Sequence, residues 1–293
     1  MRAFTAVVVA VTLSGVVGAC GGDEPEATPA ETSTTTAEPT GPTPVAITAV
    51  DYSFEAQDSI EGGLVEFQFT NAGKESHFAG LAKAAEGKTF DDVKAALTAP
   101  PSGAPPTGPP PFVEFAGAAT LDPAGKGNAT FNLPAGTYAL FCAIPAPDGV
   151  PHMAKGMIKS LMVTEGDAGE VPEPVSTETA TDFSLAGAPP TKAGPSVVKL
   201  RNQGKQLHEV NLVELTPDKK LDDVVSWFKA PAGPPPMRFL SGVAVLPGEE
   251  GTTEFELAAG PTYAFICAIP DSLSGDFVPH IAKGMYTATF TVS

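Results

Sequence analysis

Residues 142–157 read CAIPAPDGVPHMAKGM, and residues 267–285 repeat them as CAIPDSLSGDFVPHIAKGM. Each stretch holds one cysteine, then one histidine, then a methionine five positions after that histidine. One more histidine lies upstream of each stretch, His77 in the first half of the chain and His208 in the second. Because this pattern uses all 4 histidines of the chain, it predicts two equivalent sites in an internally duplicated protein.

The side chains of the repeated pattern are those of a metal site. The predicted ligands are His77, Cys142, His152 and Met157 in the first half, and His208, Cys267, His280 and Met285 in the second. A thiolate, two imidazoles and a thioether suit a soft, redox-active ion, and this is the ligand set of blue copper. We therefore predict one copper per half. Two alternatives stay open: a disulfide between the two cysteines, and methionines that only fill the core.

The segments that end at the two cysteines read YALFC, residues 138–142, and YAFIC, residues 263–267. With the order His, Cys, His, Met, they resemble the cupredoxin family, the plastocyanin-like and azurin-like type 1 copper proteins. The resemblance covers both halves and implies an all-β fold. That fold is two tandem Greek-key β-sandwiches, each with a short helix between the first histidine and the cysteine. It also implies a function in electron transfer.

The chain departs from the family pattern beside the first histidine of each half. Many cupredoxins have an asparagine there, whereas this chain has Phe78 and Glu209. Hydrogen bonds to the thiolates must then come from other groups, and such bonds tune the metal. Asn71 and Asn202 are candidates because they occupy repeated positions.

The spacing of the repeat also predicts the domain organisation. We expect a first domain at residues 44–165, an acidic linker at 166–175 and a second domain at 176–293. Within the first domain, Thr89 followed by Asp91 and Asp92 is typical of a helix start, so we expect a helix over residues 89–97. Asp222 marks the same start in the second domain.

The N-terminus is typical of an exported lipoprotein. Arg2 precedes an apolar run at residues 7–17, which is too short for a comfortable membrane span. The run ends in VGAC, which resembles a bacterial lipobox, so we predict a signal peptide at residues 1–19 and a lipid on Cys20. Residues 20–43 are rich in Thr, Pro and Glu and are expected to be a disordered tether. The predicted location is the extracytoplasmic face of the cell membrane.

The net charge and the number of histidines limit the functions that the chain can have. A net charge of −17 argues against nucleic acid as a partner and fits redox proteins with a basic docking surface; the oligomeric state stays open. Multicopper oxidases and copper nitrite reductases are also built from cupredoxin domains, but they place a histidine directly before the type 1 cysteine. Here Phe141 and Ile266 stand there, which predicts that the chain is not an enzyme. Copper sequestration or delivery, and a metal-free binding module, are the alternatives.

Overall fold

The structure is a computed structural model that describes residues 41–99, 110–271, 273–274 and 278–293. The predicted signal peptide, the lipidation site at Cys20 and most of the predicted tether lie outside the described residues, so they stay predictions. In the part of the chain that the structure describes, no helix is long and apolar enough to cross a membrane.

Alternating apolar residues form the strands of the first half. In the strand Thr43–Val50, Val45, Ile47 and Ala49 are buried while their neighbours are more exposed, which is the period of a strand with one face on a core. The elements of this half are β1 Thr43–Val50, β2 Ser53–Glu55, β3 Ser59–Glu61, β4 Gly63–Asn71, β5 His77–Ala84, α1 Phe90–Thr98, β6 Phe112–Leu121, β7 Lys126–Leu133, β8 Gly136–Phe141 and β9 Ile158–Thr164.

The second half repeats this order almost completely. Its elements are β10 Ser176–Thr181, β11 Ser184–Gly187, β12 Gly194–Asn202, β13 His208–Leu215, α2 Leu221–Lys229, β14 Met237–Val245, β15 Glu250–Leu257 and β16 Tyr263–Ile266. Where the first half has β9, the second half has only isolated bridges at Tyr286 and Phe290. The predicted all-β class, with one short helix before each cysteine, is confirmed.

The strands form two sheets that pack face to face, and both sheets run through both halves. One has the order β11-β10-β12-β15-β7-β4-β1-β2, and the other has the order β16-β13-β14-β6-β5-β8-β9-β3. The halves meet where β15 pairs with β7 and β14 pairs with β6, both antiparallel. One buried apolar cluster therefore contains residues of both halves.

Side chains add hydrogen bonds across this junction. Thr253 Oγ1 donates to the carbonyl oxygen of Asn128 at 2.8 Å, and the Phe239 amide donates to Asp122 Oδ2 at 2.9 Å. Residues 166–175 form no helix or strand. The predicted domain limits stay predictions, but the two halves are joined by paired strands as well as by this segment.

The two helices begin as their acidic residues predict. Thr89 caps α1: its Oγ1 accepts from the Asp92 amide at 3.2 Å, and the Thr89 amide donates to Asp92 Oδ2 at 2.8 Å, which is a capping box. In the second half, Asp223 Oδ2 accepts from the Lys220 amide at 2.8 Å in the same way. Each helix covers the outer face of the sheet that carries the predicted ligands.

Candidate metal centres

Short backbone links bring the predicted ligands of the first half together. His77 begins β5, and Cys142 directly follows β8, the neighbour of β5 in the sheet. The loop after Cys142 folds back through two hydrogen bonds: the Met153 amide donates to the Cys142 carbonyl at 2.8 Å, and the Cys142 amide donates to the Met157 carbonyl at 3.1 Å. A 3₁₀ turn, His152–Lys155, then places His152 beside the cysteine.

We call His77, Cys142, His152 and Met157 centre 1. The two imidazoles meet through their Nδ1 atoms at 3.1 Å, and Cys142 Sγ lies 3.4 Å from His152 Nδ1. All three side chains are fully buried. One sulfur and two ring nitrogens therefore converge on a single point, as trigonal His₂Cys coordination requires.

We call His208, Cys267, His280 and Met285 centre 2, and it has the same geometry. Its two Nδ1 atoms are 3.2 Å apart, and Cys267 Sγ lies 3.3 Å from His280 Nδ1. The Cys267 amide donates to the Met285 carbonyl at 3.1 Å. The loop between Cys267 and His280 is three residues longer than that of centre 1, yet the convergence of the ligand atoms is unchanged.

Both methionines are fully buried in the same apolar cluster as the cysteines. The backbone bonds just described hold Met157 next to Cys142, and Met285 next to Cys267. The backbone of each methionine therefore lies beside its cysteine, which agrees with the prediction of an axial thioether. Both cysteines are free, so the alternative of a disulfide between them is wrong.

Burial fixes the protonation of these groups in the absence of a metal. It raises the pKa of the Cys142 thiol to about 11 and also raises the pKa of Cys267. It lowers the pKa of His77 and of His208, and lowers the pKa of His280 to about 4. These imidazoles are therefore neutral at pH 7 and ready to bind, whereas a metal must displace the thiol proton, because the thiolate is the ligand.

Two aspartates orient the first histidine of each centre. His77 Nε2 lies 2.9 Å from Asp51 Oδ1, and His208 Nε2 lies 3.1 Å from Asp182 Oδ1. Because each carboxylate accepts a hydrogen bond from Nε2–H, the proton stays on Nε2 and Nδ1 keeps its lone pair for a metal. The sequence marks these aspartates only as repeated positions, and their role was not predicted.

Glu75 plays the same part for His152 in centre 1, with Glu75 Oε2 2.8 Å from His152 Nε2. The corresponding position in the second half, two residues before the first histidine, is Gln206. This contact was also missed, because a glutamate 77 positions away from a histidine gives no local signal.

The hydrogen bonds to the cysteine sulfurs do not come from Asn71 and Asn202, the candidates that the sequence offered. Asn71 Nδ2 donates to the carbonyls of Glu75 and Leu121 at 2.8 and 2.9 Å, so it pins the turn before His77 instead of bonding to sulfur. The amide of Phe78 lies 3.3 Å from Cys142 Sγ. The amide of the residue after the first histidine thus supplies the hydrogen bond to the thiolate, whatever its side chain.

The donor set fits copper. Two buried imidazole nitrogens and one buried sulfur lie within 4.8 Å of one another in each half, and a buried methionine accepts a backbone hydrogen bond from each cysteine. Among the described residues, this soft set includes no carboxylate at the converging point, and it suits Cu(I) and Cu(II) better than magnesium or calcium, which prefer oxygen ligands. Each group could hold one copper ion.

No protein-family model and no curated protein matches the chain. Auracyanin A, a "blue" copper protein from the green thermophilic photosynthetic bacterium Chloroflexus aurantiacus, matches at 22% identity over 42% of this chain and 100% of its own, with a TM-score of 0.29. A multicopper oxidase matches at 15% identity over 85% of this chain and 88% of its own, with a TM-score of 0.24. The copper nitrite reductase from Nitrosomonas europaea matches at 14% identity over 86% of this chain and 94% of its own, with a TM-score of 0.25.

The matched structures are copper proteins of the kind that the sequence motifs resemble, and the described residues form two cupredoxin-like sandwiches in tandem. At these identities and TM-scores the likeness concerns the fold and carries no reaction or partner over to this chain.

The prediction that the chain is not an enzyme is wrong as it stands, because enzymes are among the structures that match most of its length. That prediction counted the histidines of one chain, and a site between chains would draw its ligands from more than one.

Proposed function

We propose that the protein is an exported electron carrier that holds one type 1 copper ion at centre 1 and another at centre 2. The observation that carries the proposal is the repeated convergence of two Nδ1 atoms and one sulfur, all buried, in both halves. A rigid, buried His₂Cys site with a weak axial thioether changes little between Cu(I) and Cu(II), so an electron enters and leaves with little rearrangement.

The protein supplies the rigidity that this function needs. The thiolate positions follow β8 and β16, and each loop is closed onto its cysteine by two backbone hydrogen bonds. The aspartate partners hold the first histidine of each centre in one tautomer. When bound, copper supplies the change of oxidation state.

The proposed location and partners of the protein follow from its N-terminal sequence and its net charge. A lipid on Cys20 and a tether at residues 20–43 would hold the sandwiches at the extracytoplasmic face of the membrane. The net charge of −17 favours redox partners with a basic docking surface, since opposite charges steer the encounter of two proteins.

Copper loading tests the proposal directly. The full chain loaded with Cu(II) is expected to absorb intensely in the visible region through thiolate-to-copper charge transfer, with two copper ions per chain by metal analysis. The Cys142→Ser variant is expected to lose the band of centre 1 and keep that of centre 2, and Cys267→Ser to do the reverse. A colourless loaded protein refutes the proposal, and loss of both bands in one variant refutes two separate centres.

A further inference from the structure

The far ring nitrogen of the second histidine differs between the two centres. His152 Nε2 is held by Glu75 Oε2 at 2.8 Å. His280 Nε2 is buried and has no hydrogen-bond partner among the described residues. In both centres the Nδ1 atom of this histidine faces the cysteine sulfur, so Nε2 carries the proton. Among the described residues, only centre 1 has a carboxylate that accepts a hydrogen bond from this Nε2–H group.

A tyrosine completes the arrangement in the first half. The Tyr52 hydroxyl donates to Glu75 Oε1 at 2.8 Å, and its ring centroid lies 4.9 Å from that of His152. In the second half Phe183 occupies the same position, 5.3 Å from the ring of His280. The aromatic contact is kept while the hydroxyl is lost, and Gln206 replaces the glutamate. The positions of Tyr52 and Glu75 are thus both changed in the second half, to Phe183 and Gln206.

We infer that Glu75, held by Tyr52, lowers the reduction potential of centre 1 relative to that of centre 2, so that the two copper centres of one chain are not equivalent. This inference rests on the proposed function. Glu75 is a positioning residue in this scheme, since it acts on the metal through His152.

The lower reduction potential of centre 1 follows from the charge of Glu75 and from its effect on the basicity of His152. A carboxylate that accepts a hydrogen bond from Nε2–H makes Nδ1 a stronger electron donor and adds a negative charge near the metal. The oxidised ion carries one more positive charge than the reduced ion, so it gains more from both effects. Asp51 and Asp182 act on the first histidine in both centres and therefore do not separate them.

Among the described residues, two other buried acidic groups lie near centre 2 and have no counterpart at the same position in the first half: Asp271, which is paired with Lys283 at 2.5 Å, and Glu209. Glu209 stands where the first half has Phe78, is 3% exposed, and accepts from the Ala268 amide at 2.8 Å. Because Glu209 lies near Cys267, its charge also affects the reduction potential of centre 2. The Glu209→Gln variant removes this effect and leaves centre 1 unchanged.

The test is the reduction potential of each centre in the copper-loaded full chain. The Cys267→Ser background isolates centre 1, and the Cys142→Ser background isolates centre 2. Glu75→Gln is expected to raise the potential of centre 1 by at least about 59 mV, which is a tenfold change in a one-electron equilibrium. Tyr52→Phe, which keeps the ring and frees the carboxylate, is expected to shift it in the same direction by less.

The second half supplies the reverse experiment. The double variant Phe183→Tyr, Gln206→Glu introduces the tyrosine and the glutamate of centre 1 at the equivalent positions of centre 2. It is expected to lower the reduction potential of centre 2 in either the Glu209 or the Glu209→Gln background. Glu86→Gln is the matched control, because it removes the same charge at an exposed position with no contact to either centre, and both potentials are expected to stay unchanged.

The possible outcomes separate the inference from the function it rests on. Charge-transfer bands at both centres with unchanged potentials in Glu75→Gln and Tyr52→Phe overturn the inference alone, as does an equal shift in Glu86→Gln. Absence of the band at both centres of the unmodified chain overturns the proposed function, and the inference with it.

Discussion

Replacing Glu178 by isoleucine is expected to stabilise the second half of the protein in a pH-dependent way. Glu178 lies in β10 and is fully buried, and neither carboxylate oxygen has a hydrogen-bond partner among the described residues. Its cross-strand neighbour is Gly187, where a Cβ would come within 2.6 Å of the carboxylate. At the same position of the first half, Ile47 is buried in the core, so the backbone geometry accepts an apolar side chain.

The magnitude follows from the ionisation of this glutamate. Burial raises the pKa of Glu178 from 4.5 to about 7, and such a difference corresponds to about 3 kcal/mol. Because the structure relaxes around the charge, we expect the ionised carboxylate to lower the free energy of unfolding by about 2 kcal/mol. Because the pKa of Glu178 is higher in the folded protein than in the unfolded chain, its ionisation destabilises the fold. This destabilisation is absent below the unfolded pKa, grows as the pH rises from 4.5 to 7, and is complete above 7.

Denaturant unfolding at pH 5 and pH 8 measures this effect in the metal-free chain. Trp227 is the single tryptophan and packs against the second half, so its fluorescence reports on the region that changes. Glu178→Ile is expected to gain about 1.5 kcal/mol more at pH 8 than at pH 5, because roughly a quarter of the penalty is already present at pH 5. Glu178→Gln, which removes the charge but keeps a buried polar group, should show the same pH dependence with a smaller total gain. A gain that is absent, or equal at both pH values, refutes the reasoning.

Three further predictions concern the centres. Gly73→Ala is expected to weaken copper binding at centre 1 roughly tenfold, because a Cβ there would lie 2.5 Å from His77 Nε2; competition with a chelator measures it, and unchanged affinity contradicts the contact. Met157→Leu conserves volume, so it should change the unfolding free energy by less than about 1.5 kcal/mol while shifting the visible band of centre 1; an unchanged spectrum would make Met157 a packing residue. Asn202→Ala should cost about 2 kcal/mol, because it leaves two buried carbonyls without their donor; a loss below about 0.5 kcal/mol in denaturant unfolding speaks against this role.

Much of the fold could be predicted from the sequence, because the signals are local. The alternation of Val65, Phe67 and Phe69 predicts a strand over residues 64–70, and the structure has Gly63–Asn71. Thr89 and the acidic residues after it predict a helix over residues 89–97, and the structure has Phe90–Thr98. Side-chain period and helix capping depend on neighbours within four residues, which a single sequence shows directly.

The groups around the predicted ligands were less accessible from sequence. Asp51 reaches His77 across 26 positions, and Glu75 reaches His152 across 77. Neither pair has a spacing typical of a motif, and carboxylates are too frequent in an acidic chain for any one of them to be singled out. The repeat could mark Asp51 and Asp182 as equivalent, but only folded strands place their oxygens on imidazole nitrogens.

The sequence by itself displayed the repeat and the eight candidate copper ligands, and its resemblance to cupredoxins implied a β-sandwich in each half. These features follow from residue identity and order, which a repeat displays twice. The tertiary structure alone decided that both sheets continue from one half into the other, and that Glu75 contacts His152 while His280 has no such contact among the described residues. Both depend on contacts between segments far apart in the chain, and the free energy of such contacts is set by packing and burial that no local pattern records.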